Sequence, residues 1–176
     1  QTYSSAEAFL AYAPPDPPGC LILDVRLPGL DGLDLQRRMA EADLYLPVIF
    51  ITGYPDVSTA VKGMKEGAID FLTKPFDEEE LLIAIQDAIE QDRATRRERL
   101  EKEAIRHREE TLTPRQRQVL RLVVTGMTNR AIANRLGITE RTVKAHRAAV
   151  MRKMEAVSLA NLVRMAEQID LEPPEE

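Results

Sequence analysis

The chain has 176 residues, 44% apolar and 30% charged, with one cysteine and a net charge of −5. These proportions suit folded aqueous domains, one large or two small; no apolar run approaches the ~20 residues of a membrane span, and no basic, then apolar, leader opens the chain. Charge is uneven, −11 over residues 1–92, +2 over 93–112, +7 over 113–170 and −3 over the last six, so an acidic half precedes a basic half that should face a polyanion.

Residues 5–13 carry a serine start and an apolar face (Ala6, Phe9, Leu10), which predicts a short helix ended by PPDPPG. CLILDV follows as a short continuous apolar run, the pattern of a strand covered on both faces. Its Cys20 reads as a small hydrophobe rather than a disulfide or metal ligand, and a reducing cytoplasm is the expected compartment. A helix is predicted over 32–42, a buried strand over 48–52 (VIFIT), a helix over 57–66 ending at Gly67, and a strand over 68–73. Asp77 then starts a helix with three glutamates in its positive first turn.

Strands alternating with helices imply a parallel sheet with right-handed crossovers. The functional crevice of such a sheet lies at the carboxyl ends of its strands. Three successive strands end there in polar groups: Asp24, Thr52 and Lys74. One polar residue at a strand end is most often only where the chain meets water, but a carboxylate, a hydroxyl and an ammonium on three successive strands make a site. A carboxylate can attack phosphorus to give an acyl phosphate. The transferring group spreads charge over three oxygens and needs fixed cationic and hydrogen-bonding partners, here Lys74 and Thr52. A divalent cation with oxygen ligands, Mg²⁺, would complete the arrangement.

DVRLPGLDG and ITGYPDVSTAVKGMKEGAIDFLTKPF resemble the receiver domain of two-component response regulators, within it the FixJ subgroup, over residues 1–92. The resemblance implies a flavodoxin-like (CheY-like) fold with Asp24 as phosphoacceptor, Thr52 as switch hydroxyl, Phe71 as switch aromatic and Lys74 as phosphate contact. It also implies Asp24 and the backbone carbonyl of Arg26 as magnesium ligands, and makes Lys74–Pro75 a candidate cis peptide. The family begins with a strand ending in two acidic residues, then a helix. Here Gln1-Thr2-Tyr3 reads as the tail of the second strand, so a strand and a helix of about 30 residues are expected to be missing and the metal site incomplete. That strand belongs in the middle of a 2-1-3-4-5 sheet.

RATRRERLEKEAIRHREE continues the helix with opposite charges three or four residues apart, such as Arg97–Glu101 and Glu98–Lys102. A stiff helical linker is expected over 93–111, either a solvated single helix or a weak coiled-coil seam through Leu81, Ile85, Ala88, Leu100 and Ile105.

TPRQRQVLRLVVTG opens with Thr113 as cap, Pro114 at the first helical position and Gln116 closing the box. Thr128 caps NRAIANRLG, Thr139 caps ERTVKAHRAAVMRKM and Ser158 caps a fourth helix. Two short helices joined through a glycine-containing turn, the second basic, form a helix-turn-helix. On that second helix Val143, Val150 and Met154 face the core. Arg141, Lys144, Arg147 and Arg152 do not, and Ala145 and Ala148 keep the outer surface slim enough for a major groove. The cations supply phosphate contacts and salt-dependent affinity. Residues 112–170 resemble the LuxR/NarL-type DNA-binding domain, four helices with Thr139 opening the recognition helix and Lys144, Ala145 and Ala148 where family members meet bases. His146 is expected in a semi-buried or phosphate-facing place, and residues 171–176 form an acidic tail.

The fold class expected is thus α/β plus all-α. The function implied is that of a response regulator rather than an enzyme. A sensor histidine kinase phosphorylates Asp24; the protein then forms a homodimer, binds double-stranded DNA at a promoter and works with RNA polymerase, as an activator by subgroup resemblance, with no membrane involved. A phosphorylation-independent DNA-binding protein that uses a degenerate receiver as an interaction module is the alternative. A flavodoxin-like enzyme fused to a helix-turn-helix is less well supported, since no glycine-rich phosphate loop or second catalytic base accompanies Asp24.

Overall fold

The computed structural model describes residues 1–11, 17–27 and 29–172; the end of the first predicted helix, residues 14–16, Pro28 and residues 173–176 of the acidic tail lie outside the described residues. The chain divides into two compact units, Gln1–Arg97 and Glu98–Glu176.

The first unit runs α1 (Ala6–Leu10), β1 (Leu21–Asp24), α2 (Gly32–Glu41), β2 (Val48–Thr52), α3 (Val57–Lys65) and β3 (Asp70–Thr73), then the start of α4 (Glu78–Glu110). Each short helix begins at a side-chain cap. Ser5 accepts from the Ala8 amide at 3.2 Å and Asp31 from the Asp34 amide at 2.7 Å, while Asp56 accepts from both Ser58 and Thr59, each filling a donor the first turn leaves open. The three strands are parallel in the order β1-β2-β3. Asp24 pairs with Ile51, and Thr52 with Thr73, so all three strands end at one level.

Alternation sends the strand side chains to two cores. Val48 and Phe50 pack with Leu23, Leu33, Leu35 and Met39 on one face. Ile49 and Leu72 pack with Ala84 and Ala88 of α4 on the other. Phe50 and Ile49 are completely buried, each contributing about 1.5–3 kcal/mol of apolar burial.

Several boundaries differ from expectation. Gln1-Thr2-Tyr3 is not strand: it joins no ladder, and Tyr3 instead sets its ring edge-on to Phe9, centroids 5.4 Å apart. The last strand starts at Asp70 rather than Ala68, because the Ala68 amide still closes α3 by donating to the Gly63 carbonyl at 3.1 Å. Cys20 is half-buried. The Lys74–Pro75 peptide is cis.

The second unit holds α5 (Pro114–Val124), α6 (Asn129–Leu136), α7 (Glu140–Lys153) and α8 (Leu159–Gln168). The capping box at Thr113 and Gln116 is formed in both directions. Gly137 ends α6 in the left-handed region, φ 63°, where a side chain would be strained. Val119, Leu120, Ile132, Val143, Val150 and Leu162 make its core, and Ile105 of α4 is buried among them. The residues read as one apolar seam therefore part company: Ala88 belongs to the first unit's core, Ile105 to the second's, and Leu100 stays 61% exposed.

Candidate functional site

The crevice at the strand ends is built by β1, β2 and β3. Asp24 closes β1, and the Lys74 Nζ donates to its Oδ2 at 2.7 Å across a separation of 50 residues. The Arg26 amide donates to the other oxygen, Oδ1, at 3.0 Å. Partial burial pushes the Asp24 carboxyl upward, but the Lys74 hydrogen bond, the Arg26 amide and the Lys74 charge together outweigh it and hold the group below the usual carboxylate range. The carboxylate is therefore ionised at neutral pH.

Thr52 ends β2 and is buried. Its hydroxyl donates to the Tyr54 carbonyl at 3.3 Å and accepts from the Tyr54 amide at 3.2 Å, so both of its functions are used within its own loop. Lys74 is held at the level of Thr52 because its amide donates to the Thr52 carbonyl at 2.7 Å. Phe71 is half-buried, its ring 5.9 Å from that of Phe50 and tilted by 45°. The structure thus brings Asp24 and Lys74 into contact, places Thr52 on the adjacent strand end, and leaves Phe71 on the inner side of β3.

Other parts of the crevice carried no clear sequence signal. Gly32 packs against the site so closely that a Cβ there would lie 2.7 Å from the Asp24 carbonyl oxygen. The Arg26 guanidinium lies 4.3 Å above the Tyr54 ring centroid, a cation–π contact joining the residues that hold Asp24 and Thr52. At the opposite end of β1, Asp92 of α4 is buried and accepts from the Gly19 amide at 2.9 Å and from Arg96 Nε at 2.8 Å. A glycine opening a helix and an aspartate amid solvated charges were the only hints of two of these roles.

A magnesium ion needs about six oxygens in near-octahedral order, usually one or two carboxylates with phosphate and water. Among the described residues no group of three or more His, Cys, Asp or Glu side chains could hold a metal. Asp24 offers one carboxylate, already on Lys74, and the contact Arg26 makes to it is through the amide rather than the carbonyl. These residues alone do not make a cation site.

In the second unit Thr139 caps α7, accepting from the Thr142 amide at 3.2 Å. Arg141, Lys144, Ala145, Ala148 and Arg152 are exposed on α7, and Val143, Val150 and Met154 are buried beneath it. This is the slim cationic ridge expected of a groove-reading helix. Arg147 departs from it: the side chain is half-buried, and its Nη1 donates to Asn129 Oδ1 of α6 at 2.8 Å. His146 is half-buried.

Among the described residues, no helix is long and apolar enough to cross a membrane. Residues 1–86 match the response regulator receiver domain family and residues 110–166 the luxR family of bacterial regulatory proteins. The chain is 46% identical over 169 residues to nodulation protein W of Bradyrhizobium diazoefficiens, covering 96% of this chain and 74% of that protein. It is 46% identical over 164 residues to the transcriptional regulatory protein FixJ of Rhizobium meliloti, covering 93% and 80%. The solved structure of the response regulator StyR superposes with a TM-score of 0.80 at 40% identity, over 96% of this chain and 85% of that one.

Proposed function

The chain belongs to the two-component response regulators that join a receiver to a LuxR-family DNA-binding domain, and from this premise we propose that Asp24 is the residue phosphorylated and α7 the element that reads DNA. The family is one of transcription regulators rather than enzymes, with a histidine kinase as phosphoryl source and DNA as target.

A carboxylate oxygen of Asp24 attacks the phosphorus of the kinase's phosphohistidine; the O–P bond forms, the N–P bond breaks, and the imidazole leaves. Lys74 moves from the carboxylate to a phosphoryl oxygen and neutralises part of its charge. Receivers normally take Mg²⁺ for this reaction, where it would neutralise further charge on the transferring group; Asp24 and the Arg26 carbonyl would contribute oxygens to such a site but do not complete it. Thr52 leaves the Tyr54 backbone for the phosphoryl group, and Phe71 takes the space vacated. The surface from residue 57 to 76 then changes shape. It already exposes Val57, Val61 and Met64, with Val57 80% exposed, and would serve as the face of a homodimer. Two recognition helices are thereby paired on DNA, where the dimer works with RNA polymerase, as an activator, in the cytoplasm.

The observation that supports this reading best is the 2.7 Å Asp24–Lys74 pair at the carboxyl ends of parallel strands, with Thr52 beside it. The test is labelling of the full-length protein by its kinase with ATP and magnesium, followed by size measurement and promoter binding. Label on Asp24, absent in Asp24→Asn, with tighter DNA binding, is expected. An unlabelled protein that binds its promoter equally well would make the receiver an interaction module.

A further inference from the structure

Two cations of α7 are tied to other segments. Lys153, at the helix end, donates from Nζ to the Thr111 carbonyl at 2.7 Å. Arg147, half-buried in mid-helix, donates from Nη1 to Asn129 Oδ1 of α6 at 2.8 Å, whereas Arg141, Lys144 and Arg152 are exposed. Asn129 is the first residue of α6, immediately after its cap Thr128, whose side chain accepts from the Ala131 amide at 3.2 Å. The bond therefore joins the start of the first helix to the middle of the second.

Three physical consequences follow from that bond. A guanidinium carries five donors in a rigid planar fork, and the contact to Asn129 uses one of them. A side chain already held in place loses less rotamer entropy when it binds than a free surface lysine or arginine. In helix-turn-helix docking the second helix lies in the major groove while the first crosses the sugar-phosphate backbone. A cation fixed at the junction of the two sits at the groove wall, where phosphates are, rather than at its floor, where base edges are. The open amides in the first turn of α6 add positive partial charge of the same sign.

Resting on the DNA-binding reading above, we propose that Arg147, aimed by Asn129, clamps a DNA backbone phosphate and so sets the register of α7, leaving sequence readout to Lys144 and its exposed neighbours. Asn129 is then a positioning residue that acts through Arg147.

The experiment measures binding of the full chain to two duplexes of equal length, one selected from a random pool for tight binding and one unselected, across a salt series. Arg147→Ala should weaken both duplexes by the same factor, about ten-fold or more, and should flatten the slope of log K against log salt by about 0.9, one released counterion. Arg147→Gln, which can keep the bond to Asn129 but has no charge, should give the same loss of slope. Asn129→Ala should weaken both duplexes several-fold with the slope kept, and should add nothing in the Arg147→Ala background. A changed preference at one base pair in Arg147→Ala would make it a base reader and overturn the proposal. So would an unchanged slope, or additive losses from Asn129→Ala and Arg147→Ala. Wild type with no affinity for either duplex overturns the DNA-binding reading itself, and this proposal with it.

Discussion

Gly32 offers the sharpest test of how Asp24 is held. Its amide donates to the Val25 carbonyl at 2.9 Å, and a Cβ built on it would lie 2.7 Å from the Asp24 carbonyl oxygen, 3.1 Å from Phe50 Cε1 and 3.2 Å from Val25 Cα. Two of these neighbours are backbone, so Gly32→Ala is relieved only by moving the segment that carries Asp24. Overpacking of this kind costs about 1–3 kcal/mol. The gain from replacing a helical glycine is below about 1 kcal/mol. The balance is about 1–2 kcal/mol, a fall of roughly 5–15 °C in Tm for a unit of this size. Gly63→Ala is the control. Its Cβ would meet Phe50 ring carbons at 3.0 and 3.2 Å and Leu33 Cδ2 at 3.3 Å, side chains rather than the backbone that carries Asp24. Thermal melts, with the Asp24 carboxyl followed by NMR against pH, separate the two. Gly32→Ala should both melt early and raise the Asp24 titration toward the ordinary value as its pair with Lys74 is disturbed. Gly63→Ala should only melt early. Wild-type melting and an unmoved Asp24 titration in Gly32→Ala would refute the argument.

Ile105→Ala should cost about 2–4 kcal/mol in urea unfolding of the second unit, because Ile105 is 1% exposed in its core. Leu100→Ala, at a site 61% exposed, should change stability by no more than about 0.5 kcal/mol and leave the sedimentation profile unaltered; an altered association state would restore the coiled-coil seam. Lys74→Ala should raise the Asp24 titration from its lowered position, since the Lys74 hydrogen bond and charge are lost while burial and the Arg26 amide remain. The same pair adds stability above about pH 4, the unfolded value, that is lost as pH falls through the depressed folded value. Both side chains are partly exposed, so the increment is below about 1 kcal/mol and is read as the difference between wild type and Asp24→Asn across the acid limb. Thr139→Ala removes the cap that accepts from the Thr142 amide and should cost about 1 kcal/mol, with faster amide exchange in the first turn of α7.

What the chain reveals before folding is local chemistry. Caps at Ser5, Thr113, Thr128, Thr139 and Ser158 stand where the helices begin, since a cap is a contact over two or three residues. Asp24, Thr52 and Lys74 are legible because parallel strands must end on one side of their sheet. Contacts made across the chain are not. Nothing near Ile105 says that it joins Val119 and Leu162 in one core rather than Ala88 in a seam. Asp92 sits in a run of charges that looks solvated, yet it anchors the Gly19 amide 73 residues away. Arg147 shares the composition of its helix, and only the packing of α6 on α7 separates it from Lys144.

The resting crevice also bounds the energy available for switching on the proposed route. Thr52 gives up two neutral hydrogen bonds to the Tyr54 backbone, each with a net value of about 0.5–1.5 kcal/mol. It gains one charge-assisted bond to a phosphoryl oxygen, roughly twice as strong as a neutral one. That exchange is close to even. Lys74 trades one anionic partner for another and contributes little difference of its own. The drive must then come from the added phosphoryl charge against the fixed groups around it. Without the phosphoryl group the two Tyr54 bonds have no replacement, so the unphosphorylated protein favours the resting arrangement by about 1–3 kcal/mol and the active one is a minor population. Thr52→Val removes the two bonds that hold the resting arrangement and should enlarge the active share in the unphosphorylated protein, while leaving the Asp24–Lys74 pair intact; NMR exchange broadening at Phe71 reads it. Broadening of equal size in wild type and Thr52→Val would show that the hydroxyl is no part of the switch.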